Sequence, residues 1–575
     1  MPLHHSNNSP KMTRQFSVLL RSIAVRMPQT AGLHLGVMFG CTAIGAVLLW
    51  PITGGDYPPG VDTPTFLHLS WLAELAVSGE LSDWTQDPYW YGGFYYLVYP
   101  PLSYGLVGIL SAVTGAYFVD VYIVLLILAY GLMGYSVWFL SRELGVSGWA
   151  AVLAGLLTTV AYPSLSAVFL WGWFTSVMAL PFTLISFGLL ERSLNSSSKR
   201  LAIAAGALMA VATLIHHMTA VGIVMGLTVW FVYHLIRNLS DRRELIWHSA
   251  IAAVTSIILI LPWAVPFLAV ATGTGFRRDI PGNWSAPIEA YGSNFLDPAL
   301  IGEFTFPSYL GIVLTVLAMV GVFIALIEGR RMAGVALLLL LLVWFSMGTN
   351  ANPLINFYPF SSLDVGRFQL YMTPFMAIFA AMAAHRLVTL SFSGTPRRLP
   401  FATKTAAVLA LLILVLAHPT SDAWRVRSLA DSYRIEPAVQ KSLDWLASTP
   451  LDQDGNLPEV FGVGLWNWHA FLVPAISGRP LTDGWHDEGA SNVKLIRQLR
   501  NMAWGRDPVD AESVHRILST LGSDYVLLHR TYWLGERAAE YWDQLGARPD
   551  LFEFQERWGD VGVFRVLPSE PNPRQ

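Results

Sequence analysis

The 575-residue chain is 54% hydrophobic and 13% aromatic, yet only 13% of its residues are charged, about half of what a soluble protein carries. A net charge of −3 gives no case for nucleic acid. The single cysteine, Cys41, excludes an internal disulfide and any Cys-based zinc site, and the 14 histidines show no metal-ligand spacing. Charge is also unevenly spread: residues 419–575 hold 38 of the 75 charged side chains. The sequence therefore predicts a long membrane-embedded part followed by a water-soluble part large enough for its own core.

The chain opens with a basic stretch, Lys11–Arg26, ahead of an apolar run at Leu33–Trp50. Trp50-Pro51 follows where a signal peptidase would require small residues, so the run reads as an uncleaved signal-anchor helix behind a cytoplasmic segment, residues 1–32. A span needs about 20 apolar residues. Further candidates lie at 118–140, 148–163, 173–190, 201–216, 218–236, 249–270, 308–328, 332–347, 367–390 and 401–418.

The run Tyr99–Thr114 is the ambiguous one, and Lys and Arg decide it because they gather in cytoplasmic loops. The basic loops are the N-terminus, Arg142, Arg192 to Arg200, Arg237 to Arg243, Arg330/Arg331, and Arg386 to Lys404. If 99–114 does not cross, all of them share one side. The stretch from Met27 to Ser141, which lacks any Lys or Arg, then surrounds the first external loop, 51–117. The expectation is a polytopic α-helical membrane protein of about eleven spans over 33–418, with 99–114 re-entrant or surface-lying. The N-terminus is cytoplasmic, and an extracytoplasmic α/β domain spans 419–575, so the protein is placed as multi-pass in the plasma membrane. In that domain Glu436–Ser448 and Ser491–Ala503 read as amphipathic helices, and Asp524–His529 and Val561–Leu567 as strands.

The first external loop is the most informative stretch. It carries Asp56, Asp62, Glu74, Glu80, Asp83 and Asp87 with no basic residue, together with Trp71, Trp84 and Trp90. A stiff, turn-rich segment from Gly54 leads into a helix at Thr65–Ser78, which places Asp62 just before it. Two roles are open to Asp62: capping that helix, the commoner use of such a residue, or acting as a general base at the membrane surface.

Asp62, His68, Glu74, Gly79, Trp84, Gly92-Gly93 and Tyr99-Pro-Pro-Leu-Ser-Tyr104 resemble the opening of GT-C class membrane glycosyltransferases. The pattern is similar to the prokaryotic family labelled "membrane protein, 6-pyruvoyl-tetrahydropterin synthase-related". It continues through Ser141-Arg-Glu-Leu-Gly, His216-His217 and Asp364-Val-Gly-Arg-Phe. The pterin label is not an activity here, since soluble pterin synthases use a histidine-bound zinc and a cysteine that this chain lacks. The resemblance implies a GT-C-like core that transfers a sugar from a polyprenyl-phosphate donor to a glycan, lipid or protein acceptor on the outer face. It puts Asp62 at the position of the catalytic acid.

The leaving lipid phosphate needs cations or donors. Arg367, His216 and His217, at outer ends of spans, are the candidates, with Arg277 and Arg278 behind them. Asp56, His68, Trp84 and Tyr99 in the first loop, and Asp483, Trp485 and His486 in Gly478–Glu488, are candidate acceptor or sugar contacts. Many GT-C enzymes carry a second acidic motif tied to a metal, but here the second loop, Ser164–Trp173, has no acid. A divalent cofactor, Mg or Mn, is therefore left open, with Asp279, Glu289, Asp297 and Glu303 as possible substitutes. The alternatives are a transporter or flippase of a lipid-linked sugar, or a non-catalytic glycan-binding scaffold. The lack of an obvious repeat counts against the first of these.

Overall fold

The computed structural model describes residues 29–568 except 55–56, 82, 84, 92–93, 96–98, 238–241, 274–287, 304, 306, 329–330, 349–351, 357–359, 361–363, 394–400, 430–433, 452–455, 464–469, 485–491, 504–505 and 531–535. Helix α1 (Gln29–Leu49) is followed by two shorter ones, α2 (Thr63–Ser78) and α3 (Leu102–Thr114). Then come α4 (Phe118–Glu143), α5 (Gly148–Val160), α6 (Tyr162–Phe169), α7 (Phe174–Ser196), α8 (Lys199–Ile215), α9 (His217–Arg237) and α10 (Arg242–Gly273). After the two-turn α11 (Ile288–Asn294), the bundle closes with α12 (Ile312–Glu328), α13 (Arg331–Ser346), α14 (Phe368–Ser393) and α15 (Phe401–Ser428).

All eleven predicted apolar runs are helical. Among the described residues, seven helices are long and apolar enough to cross a membrane: Gly32–Thr53, Phe118–Glu143, Gly148–Phe169, Phe174–Ser196, His217–Arg237, Arg242–Ala269 and Val365–Thr389. Helices α8, α12 and α13, at 17, 17 and 16 residues, fall short of the usual 20 or so, and α15 is not among the seven. Helix α3, with 13 residues, is about 20 Å long. It packs closely against α2: a methyl on its Gly108 would press into the backbone of Ala73 and Glu74.

Apolar side chains face outward over long stretches. On α10, Val254, Ile257, Ile258, Leu261, Val265 and Leu268 are all exposed, as are Met319, Phe323 and Ile327 on α12. Apolar surface on that scale belongs in lipid. The helix ends sort into two groups. At one end Arg192 meets Glu143, Arg331 meets Glu191, and Arg386 meets Glu328. The opposite end carries α2, α3 and the C-terminal residues.

The C-terminal region contains α16 (Pro437–Ser448), α17 (Val473–Ser477), α18 (Val493–Ala503), α19 (Ala511–Leu521) and α20 (Glu536–Gly546) around a four-stranded sheet. The first-loop hairpin supplies β1 (Gln86–Asp87) and β2 (Phe94–Tyr95). The sheet consists of β3 (Glu459–Val463), β4 (Ser523–His529), β5 (Phe552–Trp558) and β6 (Val561–Val566), in the order β3-β4-β6-β5. Strands β3 and β4 are parallel and the other pairs antiparallel. The parallel pair requires a long crossover, which the stretch containing α17–α19 provides. Phe461, Leu499, Leu518, Val526, Leu528, Tyr541 and Phe564 form its core.

This region is stitched to the first loop. The Leu481 N–H donates to the Tyr89 carbonyl at 2.7 Å, and the Tyr91 N–H donates back to the Leu481 carbonyl at 3.1 Å.

Candidate functional site

The loop before α2 is fixed by another loop. The Val61 N–H donates to the Leu170 carbonyl at 2.9 Å and the Asp62 N–H to the Trp171 carbonyl at 2.8 Å. Gly60 (φ +117) and Gly172 (φ +65) make this approach possible. A Cβ on Gly60 would lie 2.6 Å from Gly172 backbone atoms, and the positive φ would strain any larger residue at either position. The first and second loops are thereby clamped together, and Asp62 is presented where they meet.

Asp62 occupies the N-cap position of α2, but its side chain makes no capping hydrogen bond. The capping role open to it in the sequence is therefore not used. The carboxylate instead accepts from Arg367 Nη2 at 2.8 Å, 305 residues away in sequence. Arg367 ends a short 3-10 turn, Val365–Arg367, that leads into α14, and Asp364 caps that turn by accepting from the Gly366 N–H at 3.1 Å. The second Asp364 oxygen takes Arg367 Nε at 2.9 Å, while Nη1 donates to Ser176 Oγ at 3.0 Å. The guanidinium also lies 5.0 Å from the ring centre of Trp173, within cation–π range. Side-chain exposure is 6% for Arg367 and 11% for Asp62, so this is a buried, two-carboxylate arginine cluster.

The polar chain continues inward. Ser176 Oγ lies 3.3 Å from His216 Nδ1. His216 is extended (φ −158, ψ 98) at the break between α8 and α9. Its Nδ1 accepts the Thr219 N–H at 3.3 Å and lies 2.7 Å from Thr219 Oγ1, and thus caps α9. Thr219 Oγ1 donates to the Tyr371 hydroxyl at 3.2 Å. Tyr99 closes the group: its hydroxyl is 3.2 Å from Thr175 Oγ1, and its ring lies 5.9 Å from His216 and 6.3 Å from His217. His217 also faces Trp263 and Phe267.

Asp62, Arg367, His216, His217 and Tyr99, separated by up to 305 residues, thus converge at one end of the bundle. Trp173, Ser176, Asp364, Thr219 and Tyr371 were not singled out as site residues in the sequence. Only Asp364 had a local signal, its spacing of three from Arg367.

Other candidates have different surroundings. His68 is fully buried, bonds Asp87 at 2.7 Å and stacks on Trp90 at 4.2 Å. It fastens α2 to the β1 hairpin. Asp483 is bonded by Arg500 Nε at 2.9 Å and by Nη2. Arg500 Nη2 also donates to the Tyr91 hydroxyl at 2.9 Å, and Tyr91 donates to the Gly484 carbonyl at 2.6 Å. Asp483 thus clamps the C-terminal region to the first loop through Arg500 and Tyr91. Asp56, Trp84, Trp485 and His486, with Arg277, Arg278 and Asp279, lie outside the described residues.

Among the described residues, no set of donors gathers to hold a divalent ion. Asp62 and Asp364 both turn an oxygen to the same guanidinium, the second loop supplies Trp171 and Trp173 instead of an acid, and no three His, Cys, Asp or Glu side chains converge among the described residues.

The fold is that of the GT-C membrane glycosyltransferases. The oligosaccharyltransferase of Archaeoglobus fulgidus superposes with a TM-score of 0.60 at 14% identity, over 86% of this chain and 69% of that one. The arabinofuranosyltransferase AftD from Mycobacteria gives 0.58 at 14% identity, over 93% and 40%. ArnT from Cupriavidus metallidurans, bound to undecaprenyl phosphate, gives 0.53 at 15% identity, over 93% and 98%. At these identities the likeness is one of fold. Residues 95–427 match the family described as "6-pyruvoyl-tetrahydropterin synthase related domain; membrane protein", and the chain belongs to that family of membrane proteins. No curated protein sequence matches it.

Proposed function

We propose that the protein is a glycosyltransferase that moves a sugar from a polyprenyl-phosphate donor to an acceptor at the outer face of the plasma membrane. The observation that carries this reading is the buried Asp62–Arg367 pair, set where two loops clamp at the end of a GT-C bundle. An acceptor oxygen attacks the anomeric carbon and its proton passes to Asp62, the general base. The bond from that carbon to the phosphate oxygen breaks, and its electron pair leaves on the lipid phosphate. Arg367 meets the growing negative charge, with His216 and His217 beside it.

An apolar groove supports a lipid-borne donor. It holds about 400 Å³ between α12, α13 and α14, lined by residues such as Phe295, Leu310, Phe323, Val343 and Met376. Gln369 stands two helical turns before Met376 on the same face of α14, with Ser308 donating to its Oε1. An isoprenoid tail in that groove would bring its head group to the start of α14, where Arg367 lies. The two named relatives that carry lipid phosphates, ArnT with undecaprenyl phosphate and the Archaeoglobus enzyme with dolichol-phosphate, are in keeping with this choice. No step requires a metal.

The reading includes eleven crossings, with the Glu143–Arg192 end cytoplasmic and residues 419–575 an external domain. Single cysteines at Ser147 and Ser197 should resist labelling from outside, and labelling of both would overturn this topology. The activity is tested with purified protein and a polyprenyl-phosphate sugar. Wild type should transfer and Asp62→Asn should lose about 10²–10⁴-fold with its melting temperature nearly kept. Equal rates would remove Asp62 from the chemistry.

A further inference from the structure

Resting on the glycosyltransferase reading, the geometry raises a difficulty whose resolution points to a further role for the cluster. A carboxylate bonded to a guanidinium is a poor base, because the arginine favours its charged form. An arginine already bonded to two carboxylates is also a poor phosphate ligand, since the cluster carries one excess negative charge. Asp62 and Arg367, as they stand, disarm each other.

The two carboxylates are not equivalent. Asp364 holds the Nε edge of the guanidinium from three residues away and is itself fixed to the Gly366 N–H. Asp62 holds only one terminal nitrogen, Nη2, and reaches it from a different loop. The ring of Trp173 supports the guanidinium plane without engaging its N–H edge. The guanidinium is thus pinned at Nε, while its terminal nitrogens hold Asp62 and the neutral Ser176 hydroxyl; a phosphate, which accepts bidentate arginine bonds, can take that terminal edge from both.

We propose that Arg367 is shared between two anions in turn, Asp62 at rest and the donor phosphate when loaded, with Asp364 as the positioning residue on which it pivots. Arrival of the phosphate takes Nη2 from Asp62, and the freed carboxylate becomes available to an acceptor hydroxyl. The base is armed only when donor is present, so binding is ordered, donor before acceptor, and water is not activated at the empty site. The chemistry is unchanged: the acceptor proton goes to Asp62, and the electron pair of the broken carbon–oxygen bond goes to the phosphate that Arg367 now holds.

The test is a binding titration in lipid nanodiscs with undecaprenyl phosphate, with undecaprenol as the probe for the tail alone. It compares wild type, Asp62→Asn and Asp364→Asn, each checked for folding by its melting curve. Exchange predicts that Asp62→Asn binds undecaprenyl phosphate about tenfold more tightly than wild type, within the usual range of coupling between sites. It predicts that Asp364→Asn, which loses the pivot, binds no more tightly than wild type. Neither change should alter the affinity for undecaprenol. Equal tightening in both variants would reduce the effect to removal of one negative charge and overturn the exchange, as would unchanged affinity in Asp62→Asn. Wild type that does not prefer undecaprenyl phosphate over undecaprenol would instead overturn the donor reading beneath it.

Discussion

Two acid–arginine pairs sit where distant parts of this chain meet, and they are built differently. Asp483 and Arg500 sit in a seam between the C-terminal region and the first loop, where the arginine also serves the Tyr91 hydroxyl and the Gly484 carbonyl. Asp62 and Arg367 sit in an open-ended chain that runs on through Ser176, His216, Thr219 and Tyr371 into the bundle. The same ion pair is a fastener in one place and a site in the other. What separates them is where the neighbouring groups lead: across a loop seam in one case, and through a chain of side chains into the helical bundle in the other.

The largest expected effect is the contrast between the two acids in one transfer assay. Asp62→Asn should fall by about 10²–10⁴-fold, whereas Asp483→Asn should keep near wild-type turnover once folded. Similar losses from both would erase the distinction. Next is Arg367. Its alanine variant should lose transfer, and Arg367→Lys should recover only part, because an ammonium cannot hold Asp364 and phosphate with a planar fork. Full activity in Arg367→Ala would make it a structural anchor only.

The seam responds in stability instead. Asp483→Ala leaves Arg500 without its main partner at 15% side-chain exposure and should cost about 2–3 kcal/mol. Denaturant unfolding that follows the C-terminal region would show this; no loss would mean the seam is incidental.

The smallest effect concerns pH. Burial, with Asp524 nearby, pushes Glu459 at the start of β3 up to about 7 from an ordinary value near 4.5, although a Thr482 hydrogen bond opposes the shift. The folded state therefore keeps a proton that the unfolded chain releases. The stability of this region should fall as pH rises from about 4.5 to 7 and then level off. Glu459→Gln should flatten that slope and stabilise the region by about 2 kcal/mol at pH 8. An unchanged pH profile in the variant would remove Glu459 as the cause.

Hydrophobic runs made the helical bundle legible, because each run of apolar residues is one helix whatever its neighbours. The short helices blurred the count of crossings, since α8, α12 and α13 lie near the length threshold. In the C-terminal region Pro437–Ser448 and the strands at 523–529 and 561–566 were readable from amphipathic or apolar patterns. β3 and β5 were not: Glu459–Val463 is short and opens on a half-buried acid, and Phe552–Trp558 carries the exposed charged residues Glu553, Glu556 and Arg557.

The site was legible only in its separate parts. Asp62 stood out as an acid without a nearby cation, and Arg367 as an arginine at a helix start. Their pairing over 305 residues depends on the loop clamp at Gly60 and Gly172, which no local pattern reveals. His68 misled for a related reason. In a loop rich in acids and rings it reads as a surface contact, but the fold spends it on Asp87 and Trp90.

The most direct measurement is an experimental density map of the protein prepared with undecaprenyl phosphate in nanodiscs. A phosphate should appear within hydrogen-bond distance of Arg367 at the start of α14, with the isoprenoid tail in the groove between α12, α13 and α14 and the Asp62–Arg367 bond opened. Lipid phosphate density elsewhere, with that bond intact, would contradict this arrangement.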